Sequence, residues 1–124
     1  MGGDREMMNE KVIDTSTGIA YNLESEPIVS VDSRDYCTPE DASRWTVIEI
    51  YKAPKGNGGW ALVQLGMSAI PGEETYARVT LCPSIAAIAE ALLRHNGGRT
   101  YYTVVGKAAL ILAQEKLGRA EVTL

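Results

Sequence analysis

Between Thr75 and His95, in TYARVTLCPSIAAIAEALLRH, the period of the apolar pattern changes. Ala77, Val79 and Leu81 fall on one side of an extended chain, with Tyr76, Arg78 and Thr80 on the other. Beyond Pro83 the apolar residues Ile85, Ile88, Ala89 and Leu92 recur at i, i+3, i+4 and i+7, the stripe of an amphipathic helix. Pro83 presets a helical φ, and Ser84 or the turn at Cys82 supplies the cap for the first helical donors. Asn96-Gly97-Gly98 reads as the stop of this helix, since glycine takes the left-handed conformation past a C-terminus at low cost. A strand feeding a helix must bury both apolar faces, which marks this unit as the centre of the fold.

The preceding chain is strand-rich. Lys11–Leu23 reads as a hairpin, with Asp14-Thr15-Ser16-Thr17-Gly18 as its turn and Ile19, Tyr21 and Leu23 alternating outward. Ile28, Val29 and Val31 suggest a short edge strand after Pro27. Thr38-Pro39-Glu40-Asp41 carries the signature of a helix start, predicting a short helix that ends by Trp45. Thr46–Ala53 and Trp60–Leu65 are predicted strands around the glycine-rich turn Lys55–Gly59, and with the Thr75 strand they make an antiparallel meander. Past Gly98, strand propensity at Tyr101–Val105 competes with a helical face. One helix from about Thr100 to Leu117, weakened at Gly106 and stopped at Gly118, is the preferred reading. Glu121–Leu124 adds a short edge strand. Residues 1–10 are expected to be flexible and residues 11–124 to form a single α+β domain.

The sequence contains 124 residues, 45% of them apolar and none of them Phe. This is the size of one domain whose core comes from Ile, Leu, Val and Ala with a few Tyr and Trp. No apolar run reaches the roughly 18–20 residues of a membrane helix. Met1–Glu10 carries acidic residues and no apolar stretch of a signal peptide, so the expected residence is cytoplasmic. Cys37 and Cys82 are too few for a disulfide scaffold and are expected to be reduced. With a single His and no CxxC, no metal site and no cofactor is expected.

Charge divides the chain. Residues 1–44 contain ten acids and four bases, a net −6, and residues 45–124 contain six acids and eight bases, a net +2. The acidic part is either a solvated surface or a segment that meets a basic partner. Net acidity of −4 argues against general affinity for nucleic acid.

The order of Asp14-Thr15-Ser16-Thr17, then Ile50-Tyr51-Lys52-Ala53-Pro54-Lys55-Gly56 with Trp60, then the Ala-rich Ile85–Leu93 resembles a group of small uncharacterised proteins of phages and bacterial mobile elements. Their pattern is a hairpin with Asp-Thr-x-Thr, a strand near Leu-Tyr-x-Thr-x-x-Gly-x-Trp, and an Ala-rich helix. The likeness covers about residues 11–95, with departures at Ala53, at Asn57-Gly58-Gly59 and across residues 24–45. It implies a compact sheet with a helix and a mobile-element origin. It implies no activity, so no functional residue is carried over.

Candidate chemistry is sparse. Cys82, at a strand end before a helix N-terminus, is the one reactive-thiol candidate. The opposing reading is a small buried apolar residue, and His95, placed roughly 20 Å away along the same helix, is too far to act as its base. A Cys37–Cys82 redox pair is the lesser alternative. The turns at Lys55–Gly59 and Val105-Gly106-Lys107 lack the strand-to-helix context of phosphate loops. Two helices joined by Asn96-Gly97-Gly98-Arg99 invite a helix-turn-helix reading, with Tyr101, Tyr102 and Lys107 toward DNA. Trp60, Tyr101 and Tyr102 are candidate interface aromatics, weighed against a place in the core.

The resulting expectation is an antiparallel sheet of about four to five strands with two C-terminal helices packed on one face. The expected function is that of a non-enzymatic protein-binding module, a small acidic regulatory or inhibitory protein. Asp32, Asp35, Glu40 and Asp41 would meet a basic surface on another protein, with Trp60, Tyr101 and Tyr102 as contacts. A DNA-binding regulator using the C-terminal helix pair and a cysteine-dependent enzyme using Cys82 are the alternatives, and homodimerisation is compatible with each.

Overall fold

A computed structural model of the chain describes residues 10–23, 26–36, 43–53 and 58–117. Strands β1 (Glu10–Ile13) and β2 (Ala20–Leu23) form the expected antiparallel hairpin. Its turn closes where Gly18 takes φ +79°, with the Asp14 N–H donating to the Ile19 carbonyl at 2.9 Å. Strands β3 (Val29–Asp32), β4 (Arg44–Lys52), β5 (Trp60–Ser68) and β6 (Tyr76–Cys82) make one antiparallel sheet in the order β3-β4-β5-β6. The fold is α+β, with two helices, α1 (Ile85–Leu92) and α2 (Val104–Leu117).

The period-2 alternation of β3–β6 produces two apolar faces, and both are covered. Val29, Val31, Ile48, Ile50, Leu62 and Cys82 point to one face and pack against Ile88 and Leu92 of α1 and Val105, Ala109 and Ala113 of α2. Tyr51, Ala61, Val63 and Val79 point to the other and pack against Leu23, with Val12 and Tyr21 of the hairpin beside them. Each fully buried Leu, Ile or Val contributes on the order of 1.5–3 kcal/mol, so the hairpin layer is a true second core. The buried apolar residue that β6 gives to the helix side is thus Cys82, not the row Ala77, Val79 and Leu81. That row shares a face as expected, but the face belongs to the hairpin, and Leu81 is left exposed.

Several element boundaries differ from the sequence reading, and β5 runs on past Leu65 to Ser68. Arg44 and Trp45 belong to β4, because the strand stays paired with β5 from Lys52↔Trp60 out to Arg44↔Ser68; a helix running to Trp45 is excluded. Helix α1, capped by the Ser84 hydroxyl accepting from the Ala87 N–H at 3.1 Å, ends at Leu92. Asn96-Gly97-Gly98 is the turn of a further hairpin, β7 (Arg94–Asn96) with β8 (Arg99–Tyr101), in which both glycines take positive φ. Helix α2 therefore starts at Val104, not near Thr100. The Thr103 hydroxyl caps it by accepting from the Gly106 N–H at 3.0 Å, which puts Gly106 in the first turn and not at a kink. The two helices are joined by a β-hairpin, so the compact turn of a helix-turn-helix is not what links them. The expected flexible start, the helix start at Thr38, most of the Lys55–Gly59 turn, the stop at Gly118 and the strand at 121–124 lie on or reach into residues outside those described.

Candidate functional site

Asp14 begins the site. Among the described residues, two polar side chains are buried, Asp14 at 2% exposure and Gln64 at 5%. A buried polar group is costly unless it is fully hydrogen-bonded, so its place in a fold needs a reason. Oδ1 of Asp14 accepts from the Ser16 N–H at 2.8 Å, the Ser16 hydroxyl at 2.6 Å and the Thr17 N–H at 3.1 Å. Its Oδ2 accepts from the Val79 N–H of β6 at 2.8 Å. The Ser16 hydroxyl and the Val79 amide are the main reasons that this carboxyl lies well below the usual carboxylate range. Thr15 completes the join: its N–H donates to the Ala77 carbonyl and its hydroxyl accepts from the Ala77 N–H, both at 2.7 Å. The turn thus satisfies the outward-facing backbone of β6, which is an edge strand of the main sheet.

Gln64 is the second organiser. It sits on the helix-facing side of β5, opposite Arg78 of β6 in the register. Directly opposed residues have Cβ atoms about 4.5–5.5 Å apart, so Gln64 and Arg78 lie side by side. Arg94, in the strand that follows α1, donates from Nη2 to the Gln64 Oε1 at 3.0 Å. Tyr76, opposite Gly66 in the register, lays its ring over that glycine, where a Cβ would collide with it. Together Thr15, Ser16, Gln64, Tyr76, Ala77, Arg78 and Arg94 line a groove of about 530 Å³.

The groove is electrostatically open. Arg34 pairs with Asp32 at 2.6 Å and stacks over the Trp45 ring at 4.1 Å, and Arg44 pairs with Glu73 at 2.6 Å. These partners hold the Asp32 and Glu73 carboxyls below their ordinary values. In a neighbouring depression of about 420 Å³, lined by Arg44, Trp45, Glu73 and Glu74 among others, the arginine is thus neutralised by its own carboxylate partner. Neither Arg78 nor Arg94 makes an ion pair with a carboxylate among the described residues.

The residues singled out from sequence are dispersed. Asp32 ends β3 and its carboxylate is engaged by Arg34; Asp35 is exposed in the 3₁₀ turn Ser33–Tyr36; Glu40 and Asp41 lie outside the described residues, as does Cys37. Trp60 and Tyr102 are half-buried against the helix-side core. Tyr101, 47% exposed, is the cross-strand neighbour of Arg94 and lines a separate depression with Asn96 and Arg99. Cys82 is buried at 1% exposure, and desolvation pushes its thiol up, away from the thiolate a nucleophile requires. His95 is on β7 and not on the helix that Cys82 precedes. No group of three His, Cys, Asp or Glu side chains suited to a metal ion occurs among the described residues.

None of the groove residues is among the binding contacts expected from the sequence, where Thr15 and Ser16 figure only as turn residues and Arg94 only as one of the basic residues near the C-terminal helices; Gln64 carried a signal, as a lone amide at an inward position of the apolar strand WALVQL. Comparison with protein-family models, with curated proteins and with solved structures gives no match.

Proposed function

We propose that the protein is a non-enzymatic binding module, a small acidic regulatory or inhibitory protein that acts in the cytoplasm by engaging another protein. The observation that supports this is the chemistry of the groove. Acid–base catalysis needs a group whose protonation changes near working pH, positioned against the substrate. The groove is lined instead by two arginines, an amide, two hydroxyls, a phenol and an alanine. Arginine stays protonated at any physiological pH. The Ser16 hydroxyl donates to Asp14, whose depressed carboxyl is too weak a base to take that proton. Such an assembly recognises a ligand; it does not activate one.

The acidic side of the proposal, a basic patch on the partner, rests on the net −6 of residues 1–44, of which Glu26 and Asp35 are exposed among the described residues. Affinity capture from the native host extract, with nuclease present, tests the reading. The expected result is a protein retained at 1:1 stoichiometry that forms the same complex after purification. Retention lost with nuclease would shift the function to nucleic acid, and catalytic turnover of the retained protein would refute a non-enzymatic role.

A further inference from the structure

The arginine groove has a definite ligand chemistry. Gln64 adjoins both arginines of the groove: its cross-strand partner is Arg78, and its Oε1 accepts from the Arg94 Nη2 at 3.0 Å. Like charges placed together repel unless an anion joins them. The chain has acids to spare, and it pairs Arg34 and Arg44 with them, but it leaves these two arginines without a carboxylate among the described residues. A further donor faces the same space. The Thr15 hydroxyl accepts from the Ala77 N–H, which leaves its own proton for an acceptor in the groove. Both buried polar groups of the described chain serve this one place, Asp14 by fixing Ser16 on the rim and Gln64 by fixing Arg94.

We propose that this groove is an oxyanion site, taking a carboxylate or phosphoryl group carried on a segment of the partner protein. Arg78 and Arg94 bind the oxygens from two sides, since a guanidinium presents a planar fork that matches either group. The Tyr76 ring covers the adjoining segment. The identity of the bearer rests on the protein-binding reading above; the oxyanion chemistry rests on the groove alone.

The test is a chemical-shift titration of the isotopically labelled full chain with four probes: inorganic phosphate, a short Glu-rich peptide, its phosphoserine counterpart and duplex DNA. The expected result is saturable shifts at Thr15, Gln64, Arg78 and Arg94, with a peptide binding more tightly than phosphate. The tighter of the two peptides names the source of the oxyanion. Arg78→Gln or Arg94→Gln should each weaken peptide binding by roughly tenfold or more, the loss of one hydrogen bond to a charged group. Arg94→Lys should recover part of it, while Lys52→Gln, on the sheet away from the groove, should change nothing. Should a substitution unfold the chain, competition of inorganic phosphate with the peptide on the wild-type protein decides the matter. Absence of saturable shifts in the groove, or affinity unchanged in the Arg78→Gln/Arg94→Gln double variant, would overturn the proposal. So would duplex DNA shifting the groove residues at lower concentration than either peptide. Capture of the partner unchanged by the double substitution would overturn the assignment of the bearer and leave the protein-binding reading standing.

Discussion

Asp14→Asn removes a charge and one acceptor atom while keeping the shape of the side chain. The amide oxygen can still serve Ser16 and Thr17, but its NH2 group then faces the Val79 N–H, which the Asp14 Oδ2 accepts from at 2.8 Å. Leaving that buried amide without an acceptor costs about 1–3 kcal/mol, and converting the remaining charge-assisted bonds to neutral ones costs about 1 kcal/mol more. The expected destabilisation is about 2–4 kcal/mol in urea unfolding at pH 7, a large share of the roughly 5–15 kcal/mol of an ordinary domain. The effect should also depend on pH. The Asp14 carboxyl is depressed in the folded state, so its contribution is complete above the unfolded carboxylate value near 3.9 and is lost as pH falls toward the folded value. One unit below 3.9 the gap between wild type and Asp14→Asn should have narrowed by up to about 1.4 kcal/mol. A gap under about 0.5 kcal/mol at pH 7, the range of an ordinary surface substitution, would refute the reasoning. A gap that stays constant or widens on acidification would refute it equally.

Three further outcomes follow from the packing. Gly59→Ala would place a methyl at φ +88°, driven into the Cys82 carbonyl oxygen and 2.7 Å from the Pro83 Cα; it should destabilise by more than about 2 kcal/mol, measured by thermal melting. In a Cys37→Ser background, Cys82 should resist a thiol reagent at pH 8 and label fully only in denaturant, because it is buried and its thiol is pushed up; rapid native labelling would restore the cysteine-enzyme alternative. Leu23→Ala in the hairpin core and Ile88→Ala in the helix core should each cost about 2–5 kcal/mol within one cooperative transition, and a separate early melt of the hairpin in Leu23→Ala would contradict a shared fold.

The sequence carried the local elements and left the junctions ambiguous. The hairpin at Asp14–Gly18, the meander and the helix cap at Ser84 are written in short-range turn and cap chemistry, and they stand where that chemistry puts them. Asn96-Gly97-Gly98 reads as a helix stop but is a hairpin turn, because two glycines with positive φ suit both equally; pairing of Arg94 with Tyr101 decides for the hairpin. Trp45 was misassigned because β4 is prolonged by its partner β5, a long-range effect that no window of nearby residues contains. The groove was hidden for the same reason. Asp14, Gln64, Arg78 and Arg94 are up to 80 positions apart by number, and only the register of β5 with β6 and the edge contact at Val79 bring them together.

The most direct measurement maps the purified captured partner onto the labelled chain by chemical-shift perturbation, with the partner's integrity followed in the same sample. Binding through the groove predicts shifts concentrated at Thr15, Ser16, Gln64, Tyr76, Arg78 and Arg94, with the partner left chemically intact. Shifts confined to other surfaces, or conversion of the partner to a product, would contradict the account.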